Sequence, residues 1–94
     1  NFWAYNMAYH LDFTDKAKED IAAHKKAGNK AILNKLFLLL EELIEHPMTG
    51  TGKPEQLRYS LSGLWSRRIN KEHRLVYKVT ETIIFILSVK GHYE

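Results

Sequence analysis

The chain has no cysteine, so no disulfide can brace it, which fits a reducing compartment such as the cytoplasm. It also lacks any apolar run near the ~20 residues needed to span a bilayer. The longest, Leu36 to Leu40, is broken by Glu41 and Glu42. No stretch has the charged start, apolar middle and small-residue cleavage site of a secretory signal. His10, His24, His46 and His73 show no metal-ligand spacing, and no cofactor or metal is expected. Glycine-rich phosphate loops and nucleophile elbows are absent as well, and there are no internal repeats or low-complexity stretches.

What is present fits one small globular domain. The chain has 94 residues, 45% of them hydrophobic. Asn1 to Asn6 reads as a leader or added extension ahead of Met7, a plausible native start, leaving 7–94 as the domain. The net charge of +3 is unevenly placed. Residues 1–47 carry six lysines against seven carboxylates, a net of −1, while residues 48–94 carry eight basic against four acidic groups, a net of +4. Between 53 and 78 the count is seven basic against two acidic. A basic half points to an anionic partner such as RNA, or to an ordinary solvated Lys/Arg face.

Hydrophobic periodicity predicts a strand over 8–13, then a helix capped by Thr14 and stopped near Gly28. A second helix runs from about Asn29 to Pro47, with a wide apolar stripe that includes Leu33, Leu36, Phe37, Leu40, Leu43 and Ile44. After a Gly/Thr/Pro loop over 48–54, strand-like runs cover 56–59, 64–69, 74–79 and 82–89. Short turns between these strands predict antiparallel neighbours. The fold class is therefore α+β, an antiparallel sheet with a two-helix hairpin packed on one face. The expected core is Leu75, Tyr77, Val79, Ile84 and Ile86 against Leu33, Leu36, Phe37, Leu40 and Ile44.

Alternation along the strands sorts the charged residues by face. Arg74, Val76 and Lys78 share the open face. Arg67 and Arg68 point to opposite faces, so only one of them can join Arg74. Three arginines in eight residues suit phosphate binding, since guanidinium offers a rigid fork to phosphate oxygens. Ordinary surface ion pairs with Glu72, Glu55 or Glu81 are the other reading. Taken singly, Glu55 at a loop-to-strand junction reads as a solvated carboxylate, and His92 and Tyr93 read as a frayed tail.

Four segments taken together resemble one family. They are Gly52-Lys53-Pro54-Glu55-Gln56-Leu57, Leu61-Ser62-Gly63-Leu64-Trp65-Ser66-Arg67-Arg68-Ile69, Glu72-His73-Arg74-Leu75-Val76-Tyr77 and Gly91-His92-Tyr93. In this order they are similar to the YoeB (Txe) family, RelE-like toxins of type II toxin–antitoxin systems. The resemblance implies a RelE-like, microbial-ribonuclease-type fold. It implies endonucleolytic cleavage of messenger RNA in the ribosomal A site, an mRNA interferase activity that blocks translation.

The resemblance assigns Glu55, Arg74 and His92 as catalytic, with Glu55 as general base and His92 as general acid; the reverse assignment, with His92 as base, stays open. Arg68 binds phosphate with Arg74, and Arg58, Lys53 and Tyr93 contact substrate. Expected partners are a YefM-like antitoxin, the 70S ribosome with its mRNA, operator DNA only through the antitoxin, and a second copy in a homodimer. Two other functions stay open: a catalytically silent module in a repressor complex, and a ribosome-independent ribonuclease. The chain departs from the family in Arg58, where the family usually has Lys, and in Glu94, beyond the usual terminal Tyr. Its leader also has no counterpart.

Overall fold

A computed structural model describes residues 9–57 and 63–91. The expected leader therefore lies outside the described residues, as do Arg58, Tyr59, His92, Tyr93 and Glu94.

The first element of the described residues is β1 (His10–Phe13), after which the chain turns at Thr14 into α1 (Asp15–Lys26). The Thr14 hydroxyl accepts from the Ala17 amide at 3.1 Å and Asp15 sits in the positive first turn, so both start signals act as expected. Ala27 closes the helix and Gly28 follows it. The second helix, α2 (Lys30–Glu45), ends just before Pro47, consistent with proline's bias against a helical residue ahead of it. Strands β2 (Glu55–Gln56), β3 (Leu64–Arg68), β4 (Arg74–Val79) and β5 (Ile83–Ser88) follow.

The described strands form one sheet in the order β1-β5-β4-β3-β2. The meander β2–β3–β4–β5 is antiparallel, as the short turns require. The exception to the expected antiparallel sheet is β1, which pairs parallel to β5 with Leu11 opposite Ile84. The sheet is thus mixed. Two helices separate β1 from the other strands, so no local turn sets its direction.

The core lies between the helices and one sheet face. Leu75, Tyr77, Ile84 and Ile86 meet Leu36, Leu39, Leu40 and Leu43, and Leu40 at 7% exposure is the least buried of these eight. Val79, Leu33 and Ile44 are half-buried at the margin. Phe37 does not belong to the core, being 49% exposed. At roughly 100° per residue, Leu36, Leu39, Leu40 and Leu43 cluster about one line on α2 while Phe37 sits a quarter-turn away. The apolar arc is wider than the surface the sheet covers. No helix among the described residues is long and apolar enough to cross a membrane.

One irregularity directs the C-terminus. The register of β4 against β5 slips between Val76 and Tyr77: Tyr77 faces Ile86, but Val76 faces Ser88. The extra residue, Leu87, makes a bulge. Inward positions move from Ile84 and Ile86 to Val89, which is fully buried, while Ser88 turns outward.

These positions make opposite forecasts for two neighbouring apolar residues. Leu36→Ala should cost about 2–5 kcal/mol in denaturant unfolding, as for a buried leucine. Phe37→Ala should cost well under half as much. Equal losses would contradict the helix orientation described here.

Candidate active site

The open face of the sheet is built row by row from the strand register. Glu55 lies opposite Ser66, and Ser66 opposite Val76. One step along, on the same face, Arg68 lies directly opposite Arg74. Beyond these two strands the row continues in backbone bonds. The Arg68 amide donates to Gly52 O at 2.7 Å, and the Arg74 amide donates to Gly91 O at 3.0 Å. The arginine pair is therefore flanked by the loop leading to Glu55 and by the residue preceding His92.

Two cations directly opposite in an antiparallel pair repel each other. Among the described residues neither Arg68 nor Arg74 forms an ion pair with a carboxylate. The ion-pair reading with Glu72, Glu55 or Glu81 is thus not the arrangement found. Arg68 and Glu55 are exposed and Arg74 is half-buried, so both guanidinium planes and one carboxylate border the same face. Ser66 and Val76, each 2% exposed, form its floor. The Ser66 hydroxyl is buried and has no hydrogen-bond partner among the described residues.

Arg67, the residue before Arg68, points the other way and is completely buried. Its Nε donates to the Tyr77 hydroxyl at 3.1 Å, and Nη1 donates to Glu42 Oε1 at 3.1 Å and to Thr51 O at 3.3 Å. Nη2 donates to Thr49 O at 2.7 Å and to His46 O. The Tyr77 hydroxyl passes its own proton to Pro47 O at 2.7 Å. One guanidinium and one phenol thus collect the carbonyls of the loop from His46 to Thr51, a loop that secondary structure leaves unpaired.

Burial raises the Tyr77 hydroxyl above its ordinary pKa, and Arg67 opposes that rise. Hydrogen bonds from Thr51, and then the Arg67 charge, hold the Glu42 carboxyl below its usual range. Gly52 closes the loop at φ +85, and a Cβ there would stand 2.9 Å from Arg68 O. Lys53 follows at φ +52, ahead of Pro54. This conformation is disfavoured for a side-chain-bearing residue. It lies two positions before Glu55 and two after Thr51, where the segment held by the Arg67 cluster ends.

The register therefore brings Glu55, Arg68 and Arg74 to one side of the sheet, at β2, β3 and β4, and the exposed Lys53 lies in the loop before β2. Arg58, His92 and Tyr93 fall outside the described residues. Sequence reasoning separated Arg67 from Arg68 by face but missed that Arg67 is a buried hub. The available signal was its alternation with Trp65 and Ile69.

Residues 13–93 match the family described as YoeB-like toxin of bacterial type II toxin-antitoxin system. The chain belongs to this YoeB toxin family. It is 46% identical over 67 residues to Toxin YoeB of Synechocystis sp., covering 71% of this chain and 78% of that protein. The YoeB dimer from Staphylococcus aureus superposes with a TM-score of 0.81 at 39% identity, covering 92% of this chain and 99% of the other. The YoeB–YefM complex from the same organism gives 0.77 at 41% identity, covering 90% and 98%. The RelE-like fold expected from the four motifs is the fold found, and the chain is a toxin of the type II class.

The lowered pKa of Glu42 makes part of the stability pH-dependent. A carboxylate whose folded pKa is depressed adds stability above its unfolded value and loses it as pH falls through the folded value. Acidification from neutrality to below about pH 4 should therefore weaken the wild-type chain more than Glu42→Gln. Urea midpoints measured across that range should converge on the acid side. Parallel curves would show that the ionisation of Glu42 does not stabilise the fold.

Proposed function

We propose that this chain is a ribosome-dependent endoribonuclease that cuts messenger RNA in the A site and so arrests translation. In this reading Glu55 is the general base, His92 the general acid, and Arg68 and Arg74 the phosphate clamp. Lys53, Arg58 and Tyr93 contact the substrate. The observation that carries the reading is the Arg68–Arg74 pair. Two guanidinium groups in register, with no carboxylate paired to them among the described residues, suit an anion, and a carboxylate stands one row away.

The chemistry follows from these groups. The RNA's own 2′-hydroxyl is the nucleophile. Glu55 takes its proton, the oxygen attacks the adjacent phosphorus, and the P–O5′ bond breaks. His92 gives a proton to the departing 5′-oxygen, leaving a 2′,3′-cyclic phosphate. At neutral pH a carboxylate is an acceptor and an imidazolium a donor, which matches the two roles. The arginines meet the extra charge on the pentacoordinate phosphate, where one well-placed donor is worth about 3 kcal/mol. No step uses a metal.

A YefM-like antitoxin is the proposed inhibitor, and operator DNA is reached through it. A homodimer is the proposed state of the free toxin. The family membership and the S. aureus complex and dimer support both proposals. Acting on ribosomes places the protein in the cytoplasm.

Expression without antitoxin should stop growth and translation, and normal polysomes at clear levels of folded protein would sink the toxin reading. Glu55→Gln and His92→Gln should each slow cleavage on programmed 70S ribosomes by about 10²–10⁴-fold. Free RNA should be cut far more slowly than ribosome-bound RNA. Equal rates on both would make this a ribosome-independent ribonuclease. Removing residues 92–94 should leave folding and antitoxin binding intact but cost as much as His92→Gln. Near wild-type cleavage by the truncated chain would remove His92 from the mechanism.

A further inference from the structure

Two buried ionisable side chains take no part in the mechanism above. Asp20 is 6% exposed and His24 1%, one helical turn apart on α1. Their surroundings explain them. β1 accompanies β5 only as far as the Phe13–Ile86 pair, after which the chain turns into α1. The backbone groups of β5 on that side still need partners.

Helix side chains supply them. The Thr14 hydroxyl donates to Ile86 O at 3.0 Å and to Leu87 O at 3.1 Å. Asp20 Oδ2 accepts from the Val89 amide at 3.0 Å, and His24 Nε2 donates to Val89 O at 2.9 Å. Lys16 balances the Asp20 charge at 2.7 Å. Side chains of α1 thus continue a ladder that β1 leaves unfinished.

The other flank is held from the β3–β4 turn. The Gly91 amide donates to His73 Nδ1 at 2.9 Å, so this ring carries its proton on Nε2. Gly91 O accepts from the Arg74 amide. The His24 and His73 rings meet edge to face, with centroids 4.7 Å apart at 76°. Gly91, at φ +82, makes a turn that a side chain would strain. Every residue tied in this way removes two soft rotations from the path to the next. Among the described residues the tying reaches Gly91, one covalent step before His92.

We propose that Asp20, His24 and His73 are positioning residues for the cleavage reaction, clamping Val89–Gly91 beside Arg74 and so fixing the point from which the chain runs on to His92. This rests on the reading of His92 as general acid. A misplacement of about 1 Å in a reacting group costs on the order of 10²-fold in rate, so the segment leading to an acid has to be held firmly. Gly91 is tied to the backbone of Arg74 itself, so the residue before the proposed acid and the proposed phosphate ligand share one frame.

The test is single-turnover cleavage of mRNA on saturating 70S ribosomes, with ribosome affinity and thermal stability measured beside it. His73→Ala should lower the cleavage rate roughly 10- to 100-fold with affinity little changed. His73→Asn, whose amide oxygen can replace Nδ1 as acceptor, should recover most of the loss. In a His92→Gln background His73→Ala should have no further effect, because the group it aims is gone. Hydrogen exchange supplies a readout free of activity: the Gly91 amide should be protected in the wild type and lose that protection in His73→Ala.

His24→Gln should preserve the bond to Val89 O and the rate, whereas His24→Leu should not. If His24→Leu fails to fold, the comparison of His73→Ala with His73→Asn decides alone, since His73 is only half-buried on a turn. Wild-type-like cleavage by folded His73→Ala, or losses that multiply with His92→Gln, would overturn the clamp and leave the ribonuclease reading standing. A wild-type chain that cuts nothing on ribosomes would overturn the ribonuclease reading and the clamp's purpose with it.

Discussion

The open face depends on a charge that never reaches it. Arg67 is wholly buried, and a buried guanidinium is tolerated only when its donors are met. Here they are met by a carboxylate, a phenol and three loop carbonyls. The same bonds shape the loop between α2 and β2, which has almost no hydrogen-bonding structure of its own. Without them the chain from His46 to Thr51 would have to find water or another partner, and Gly52 would lose its place against Arg68. Because Arg67 and Arg68 are consecutive in one strand, holding the first inward presents the second outward.

The other side of the site rests on unfinished pairing. β1 is short and parallel, and it abandons β5 at Ile86. A bulge then shifts β5 by one residue, carrying Val89 inward and bringing Gly91 beside Arg74. Asp20 and His24 fill the vacant edge from α1. Two defects in an otherwise regular sheet, an early strand end and a bulge, thus deliver the C-terminal segment to the arginine row.

Both devices place charged or polar groups where an apolar residue would pack more simply. Arg67 exchanges core volume for control of a loop, and the Asp20–His24 pair exchanges it for control of a terminus. The arginine pair on the open face is itself unfavourable until an anion arrives. The fold therefore concentrates its polar interior around two segments, the loop that leads to Glu55 and the stretch Val89–Gly91 that ends beside Arg74.

Much of this was legible in the residues. Period-2 alternation from Leu64 to Arg68 and from Arg74 to Val79 separated Arg67 from Arg68 and placed Arg74 with the latter. The Thr14 cap, Gly28 and Pro47 marked the helix limits, because these signals act within one turn of the chain. The family motifs pointed to the toxin class for the same reason: they are runs of neighbouring residues. Tertiary structure alone decided the rest. Phe37 reads as core by spacing, yet the sheet is narrower than the apolar arc of α2 and leaves it outside. The parallel pairing of β1 and the partners of Asp20 and His24 join residues 65 or more positions apart, and Arg67 reaches Glu42 across 25. Periodicity reports the face on which a side chain lies, but not the distant backbone group waiting there, since that depends on where other strands stop.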